Sequence, residues 1–113
     1  MGVFTNLLAF QSPETKTLSS DTLTPTRTKV LVTSQTGTTD NLATINVSGF
    51  TGLSDGTNTF DPVVILRATP THTITVKNNT GNIVLFGGAD ISLTGNKIVT
   101  LVYDSVVAKW MDT

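Results

Sequence analysis

The strongest structural signal in the sequence lies in residues 71–103, which read THTITVKNNTGNIVLFGGADISLTGNKIVTLVY. Within this stretch Ile74 and Val76 alternate with threonine and lysine, which is the two-residue period of a strand with one buried face. Residues 97–103 form a second long strand pattern, in which both faces are largely apolar. We therefore predict strands here and expect one face of the strand at residues 97–103 to be an interface.

The composition extends this prediction to the rest of the chain. Threonine accounts for 23 of the 113 residues, and with 12 Val and 6 Ile it gives 41 β-branched residues, which favour strands over helices. Short apolar runs recur between turn signals, among them Val63 to Leu66, which is typical of a strand covered on both faces. Gly95-Asn96 is typical of a tight hairpin loop. We predict an all-β protein whose residues 29–113 form an antiparallel β-sandwich or jelly-roll-like domain of seven to eight short strands, without the fixed-period repeat of a solenoid.

Residues 1–28 differ from the rest and predict an N-terminal arm. Five apolar side chains near its start have the spacing of one face of a short helix; they are Val3, Phe4, Leu7, Leu8 and Phe10. So short a helix is marginal alone in water, and we predict that this face is an interface with a partner. The alternative is that the same residues form the first element of the domain's own core. Residues 11–28 carry two prolines and many hydroxyl side chains and predict an extended tether.

Charge and composition argue against several classes of partner. The net charge is −1, only 13% of residues are charged, and lysine and arginine form no cluster, so we expect no nucleic-acid partner. The chain has no cysteine, which excludes disulfides and a thiol nucleophile. No apolar run approaches the roughly 20 residues that span a bilayer, and the first residues lack the basic region of a signal peptide. We expect no membrane partner and no conventional export.

Chemistry-bearing residues are sparse. His72, the only histidine, stands in the inward register of its strand, where a packed histidine is far more common than a general base. No Gly-x-Ser-x-Gly motif occurs, and most aspartates stand in turns. Asp55, Asn58 and Asp61 offer oxygen atoms for a calcium ion, but their spacing does not match an EF-hand loop, and ordinary turn hydrogen bonding explains them without a metal. We predict no catalytic residue, no metal site, no cofactor and no enzymatic activity.

Two aromatic residues bear on sugar binding. Trp110 and Tyr103 both lie in the last predicted hairpin, and an exposed ring there would stack on a carbohydrate. Core packing beneath the hairpin turn explains them more simply. We predict that Trp110 belongs to the core.

Several short segments follow one another in a distinctive order. They are Asp40–Ile45, Val64–Ala68, Thr73–Asn78, Gly81–Leu85, Gly87-Gly88, Leu101–Asp104 and Lys109-Trp110. This order resembles a β-module of tailed-bacteriophage virion proteins, found in tail fibres and in head decoration or cement proteins. The Gly-Asn-Ile triplet beginning at Gly81 is among its most specific parts. Members usually have a shorter Tyr-Asp-Gly turn before the tryptophan, whereas residues 105–108 intervene here, so we predict a bent or bulged last hairpin.

The resemblance implies a structural virion protein, commonly a trimer. Because the chain shows an apolar arm and no fibre shaft, we predict a capsid decoration or cement protein on the outside of a phage head, assembled in the host cytoplasm. Its expected partners are the major capsid protein and copies of itself in a homotrimer. Two alternatives remain open: a tail, baseplate or fibre attachment protein, and a carbohydrate-binding module for host glycans.

Overall fold

The computed structural model describes residues 11–50 and 61–112, and this part of the chain is all-β, as predicted. It contains eleven strands and no helix, against seven to eight strands expected. The strands are β1 (Glu14–Thr17), β2 (Thr22–Leu23), β3 (Lys29–Thr33), β4 (Thr39–Leu42), β5 (Thr44–Ile45), β6 (Val63–Ala68), β7 (Thr73–Val76), β8 (Ile83–Val84), β9 (Ile91–Leu93), β10 (Ile98–Asp104) and β11 (Lys109–Asp112). Three of them have only two residues, too short for a periodic pattern to reveal.

The described strands form three sheets around one core. The largest has the order β1-β3-β6-β10-β11-β8, and the smaller sheets are β4-β7-β9 and β2-β5. Buried side chains from all three join one hydrophobic cluster, which includes Leu66 and Trp110 of the large sheet, Ile74 of the second and Ile45 of the third. A single core of this kind matches the one-domain size of the chain.

The strand pairing is mixed, so the prediction of an antiparallel domain was wrong for much of it. Antiparallel pairs join β6 to β10, β10 to β11 and β7 to β9. Five pairs of the described strands are parallel: β1-β3, β3-β6, β4-β7, β2-β5 and β8-β11. The physical reason is that the chain passes from one sheet to another and returns in the same direction, and parallel pairs require such crossovers.

The predicted hairpin at Gly95 illustrates how the chain passes from one sheet to another. The turn is present, because the Lys97 N–H donates to the Thr94 carbonyl at 3.1 Å and Gly95 has a φ of 58°. The strands on either side do not pair, since β9 belongs to the three-stranded sheet and β10 to the six-stranded sheet. The turn chemistry was therefore predicted correctly, and the hairpin was wrong.

Parallel passes of the chain occur at irregular intervals. Glu14 lies opposite Val30, which is 16 residues later, whereas Lys29 lies opposite Ile65, which is 36 residues later. No single sequence period relates these strands, in agreement with the absence of a repeat in the sequence.

Two strands of the sheets, β1 and β2, lie within residues 11–28, so the predicted extended tether was wrong for this part of the chain. Leu18 and Leu23 are essentially inaccessible to solvent. Glu14, the only glutamate, accepts hydrogen bonds from the Thr26 N–H (2.6 Å), the Thr26 hydroxyl (2.7 Å) and the Arg27 N–H (2.7 Å). Partial burial acts to raise the pKa of Glu14, but these hydrogen bonds outweigh it and the pKa lies below its usual value.

The β10–β11 hairpin is regular. The pairs Leu101–Asp112, Val102–Met111, Tyr103–Trp110 and Asp104–Lys109 follow one continuous register. The prediction of a bulge was wrong, because residues 105–108 form the loop outside the ladder. The extra loop length is accommodated at Ala108, whose φ of 55° lies in the left-handed region.

Candidate interaction surface

The side of the six-stranded sheet that faces away from the core carries many apolar side chains beside polar ones such as Arg67, Thr100 and Lys109; we call it the outer face. Along β6 the inward Val64, Leu66 and Ala68 are buried, whereas the residues between them are only half-buried. Along β10 the inward Val99 and Leu101 are buried and Ile98 is 57% exposed. The apolar outward residues are Leu31, Val63, Val84, Phe86, Ile98, Ile65, Val102 and Met111.

The strand register brings outward residues into rows. Val63 pairs with Val102, Val102 with Met111, and Met111 with Val84. A row of four apolar side chains thus crosses β6, β10, β11 and β8. Sequence analysis predicted that the strand beginning at Val63 is covered on both faces. In the structure its inward Val64 and Leu66 are fully buried, whereas its outward Val63 and Ile65 are half-buried.

Two grooves lie towards opposite edges of this face. The Arg67 groove has a volume of about 240 Å³ and is lined by Pro13, Lys29, Val30, Leu31, Ile65, Arg67 and Ile98. The Phe86 groove has a volume of about 200 Å³ and is lined by Val84, Phe86, Met111 and Asp112. Phe86 is 92% exposed, which is unusual because phenylalanine is among the residues most often buried in folded proteins.

The Gly81-Asn82-Ile83 triplet has a structural role that explains its prominence in the sequence. A Cβ atom at Gly81 would overlap the Ala43 carbonyl oxygen and the Thr44 hydroxyl. The Asn82 side chain accepts from the Ile45 N–H at 2.9 Å and donates to the Ile45 carbonyl at 2.8 Å. It therefore pairs with β5 as the backbone of a neighbouring strand would, and it ties the two-stranded sheet to the start of β8.

Trp110 lies in the core, as predicted. Its side chain is fully buried, and its Nε1–H donates to the Ile45 carbonyl at 3.0 Å. The rings of Tyr103 and Phe50 pack against it with centroid distances of 5.1 and 6.5 Å. Trp110 consequently presents no exposed ring on which a sugar could stack.

The pair nearest to a catalytic arrangement among the described residues is formed by Ser34 and His72. The Ser34 hydroxyl lies 3.0 Å from His72 Nδ1, and the Ser34 N–H donates to the same nitrogen at 3.3 Å. Because Nδ1 accepts from the backbone, it acts as an acceptor for the hydroxyl as well. Ser34 is only 4% exposed, so a substrate has little access to its hydroxyl, and the pair joins the end of β3 to the start of β7.

Other polar residues support turns. The Asp61 carboxylate accepts from the N–H and hydroxyl of Ser105, both at 3.1 Å. Asp55 and Asn58, its partners in the calcium alternative, lie outside the described residues. Within residues 11–50 and 61–112 no group of three or more metal-ligating side chains occurs. The same residues contain no helix long and apolar enough to cross a membrane.

Electrostatics contribute little to the described surface. Its one ion pair joins Lys77 to Asp90 at 2.7 Å, and the Asn78 N–H donates to the same carboxylate at 2.7 Å. The Asn78 hydrogen bond and then Lys77 hold the pKa of Asp90 below its usual value. These contacts fasten the turn after β7 to the start of β9.

The five apolar arm residues of the predicted interface lie outside the described residues; they are Val3, Phe4, Leu7, Leu8 and Phe10. Sequence reasoning singled out neither Phe86 nor the two grooves. The apolar second face of β10 was the signal that pointed to this side of the sheet, but a sequence pattern does not reveal which strands lie beside it.

The chain was compared with known protein families, curated proteins and solved structures, and none of them matches it.

Proposed function

We propose that this protein is a non-enzymatic structural component of a virion, a capsid decoration or cement protein that binds the outside of a phage head and stabilises the junctions between capsomers. Its partners are the major capsid protein and copies of itself in a homotrimer. We assign its sheets to the sandwich or jelly-roll-like class. Assembly would take place in the host cytoplasm.

The observation that carries this proposal is the set of apolar side chains on the outer face of the six-stranded sheet. Phe86 and Ile98 are 92% and 57% exposed, so they contribute little apolar burial to the stability of a monomer. Exposed apolar patches mark sites of protein association. The resemblance of residues 40–112 to the phage β-module is the reason for proposing that the assembly is a virion. The two hydrogen bonds between the Asn82 side chain and Ile45, together with the buried Trp110, give the most specific parts of that resemblance a structural role.

Attachment to the capsid is proposed to use the arm, residues 1–10. Burial of apolar area contributes about 25 cal/mol per Å², and several arms on one assembly bind at high effective concentration. The test is binding of the purified protein to capsids stripped of it, compared with a variant that lacks residues 1–10. We expect the deletion to weaken attachment far more than it lowers the melting temperature. Failure of the complete protein to bind stripped capsids would refute the proposal.

Copy number separates this proposal from a tail or baseplate attachment protein. A cement protein occurs in hundreds of copies per virion, whereas a tail attachment protein occurs in a handful. Labelling of intact virions and imaging at low resolution measures both the number and the position. Label confined to the tail would replace the head assignment with the alternative.

A further inference from the structure

We propose that the outer face binds a second copy of this chain, with the Phe86 edge of one copy seated in the Arg67 groove of the other. This inference deepens the self-assembly part of the proposed function, and it depends on that function only for the number of copies in the assembly. The contact joins Phe86 and Asp112 to a groove that contains Lys29, Arg67 and Ile98.

Shape is the first argument. Phe86 projects almost completely into solvent beside Val84 and Met111, and a phenylalanine that becomes buried removes roughly 150–250 Å² from water. The Arg67 groove holds about 240 Å³, and cavities of roughly 150 Å³ already accommodate a benzene ring. Most of its aliphatic lining comes from Leu31, Ile65 and Ile98. One edge of the face therefore carries an apolar projection, and a largely apolar recess of sufficient size lies over β3, β6 and β10.

Charge is the second argument. Lys29 and Arg67 line the recess, and within the described residues neither forms a salt bridge. Among residues 11–50 and 61–112, the Arg67 guanidinium donates to the side-chain oxygen of Asn96, at 3.2 Å. Asp112 stands beside the projection, where one of its oxygens accepts from the Phe86 N–H at 2.6 Å. Asp112 lies opposite the buried Leu101 in the strand register, so it belongs to the rim of the outer face and reaches the projection through this hydrogen bond. Seating Phe86 in the recess brings this rim carboxylate towards two cations, and such complementarity fixes the orientation of an interface.

The sheet order shows that the two parts must come from different copies. Phe86 follows β8 at one edge of the sheet, and the recess is centred on β6, three strands away. At about 4.8 Å per strand spacing, this separation is roughly 14 Å, which a phenylalanine side chain cannot cross. Each copy offers one projection and one recess, so the same contact closes either as a two-fold pair or as a ring of three.

The test is the association of the purified full-length protein, measured by sedimentation equilibrium. Two substitutions, Phe86→Ser in the projection after β8 and Ile98→Lys in the recess on β10, lie two strands apart and both replace exposed side chains. We expect each to weaken association by roughly tenfold or more, as truncation of an aromatic interface residue does. Val106→Ser is the matched control, because Val106 is 90% exposed in the loop after β10; it should leave association and melting temperature unchanged.

A charge reversal tests the orientation of the contact. Arg67→Glu and Asp112→Lys should each weaken association, and the double variant should recover a large part of the loss. No recovery in the double variant would overturn the proposed pairing.

Two further outcomes would overturn the proposal altogether. One is a protein that stays monomeric at all concentrations, in which case residues 1–10 or another protein cover the face. The other is a Phe86→Ser variant that associates as strongly as Val106→Ser. Capsid binding is measured separately, so an assembled protein that ignores stripped capsids would refute the proposed function and leave this contact standing.

Discussion

Removal of the Asn82 side chain should destabilise the domain more than its small size suggests. In Asn82→Ala the Ile45 N–H loses the acceptor that lies 2.9 Å away, and the Ile45 carbonyl keeps only the Trp110 Nε1–H at 3.0 Å. An orphaned buried N–H costs about 1–3 kcal/mol, and the lost bond to the carbonyl adds about 1 kcal/mol. We therefore expect a loss of about 2–4 kcal/mol in the free energy of unfolding.

The assay is urea denaturation at neutral pH, followed by two probes to check that the transition is two-state. Asn46→Ala is the matched control, because Asn46 Nδ2 donates to the Thr24 hydroxyl at 3.1 Å on the exposed surface, and such changes usually stay within about 0.5 kcal/mol. If Asn82→Ala lowers the free energy of unfolding by no more than Asn46→Ala does, the Asn82–Ile45 hydrogen bonds do not hold β5 to β8 and this reasoning is wrong.

A double-mutant cycle sharpens the test. Asn82 and Trp110 both donate to the Ile45 carbonyl, so Trp110→Phe alone leaves that carbonyl with one donor. The double variant leaves it with none. We expect the double loss to exceed the sum of the single losses by about 1 kcal/mol, in the range seen for groups that share a partner.

Three further substitutions test the fold. Gly81→Ala should cost about 2 kcal/mol or more in thermal or urea unfolding, because its Cβ has no room beside the Ala43 carbonyl, whereas Gly87→Ala, with open space around it, should cost far less. Glu14→Gln should flatten the acid limb of the stability curve: the lowered pKa of Glu14 stabilises the fold above its usual value of 4.5 and loses that contribution as the pH falls through the lowered value, so parallel melting curves from pH 7 to 3 would contradict it. Ala108→Gly should raise stability by about 0.5 kcal/mol, since left-handed alanine costs about 1–2 kcal/mol and the greater freedom of unfolded glycine offsets part of the gain; an unchanged urea midpoint would show that the loop carries no strain.

The sequence was sufficient for the all-β class and for the inward register of the longer strands. Ile74 and Val76 are buried as their alternation predicts, and Trp110 lies in the core. Each of these predictions depends on local periodicity, which burial of one strand face imposes directly.

The pairing of strands could not be predicted in the same way. β1 reads Glu-Thr-Lys-Thr and has no apolar alternation, so its place in the sheet comes from pairing with β3 and from the burial of Leu18 beyond its end. The lone Glu14 was the signal that was missed, because its carboxylate anchors residues 26 and 27. Partners in a sheet are set by packing between distant segments, and turn residues such as Gly95 look the same whether or not the flanking strands pair.

The outer face shows how a chain with 13% charged residues can carry apolar side chains on both sides of one strand. Along β6 the side chains at Val64 and Leu66 are buried in the core, whereas Val63 and Ile65 are half-buried on the outer face. Because successive residues of a strand point to opposite faces, the core and the outer surface change independently, even at adjacent positions. Substitutions at outward positions then alter association with little effect on folding, and those at inward positions alter folding first. The same two-residue period that identifies the strand in the sequence thus also separates its core residues from those proposed to hold copies together.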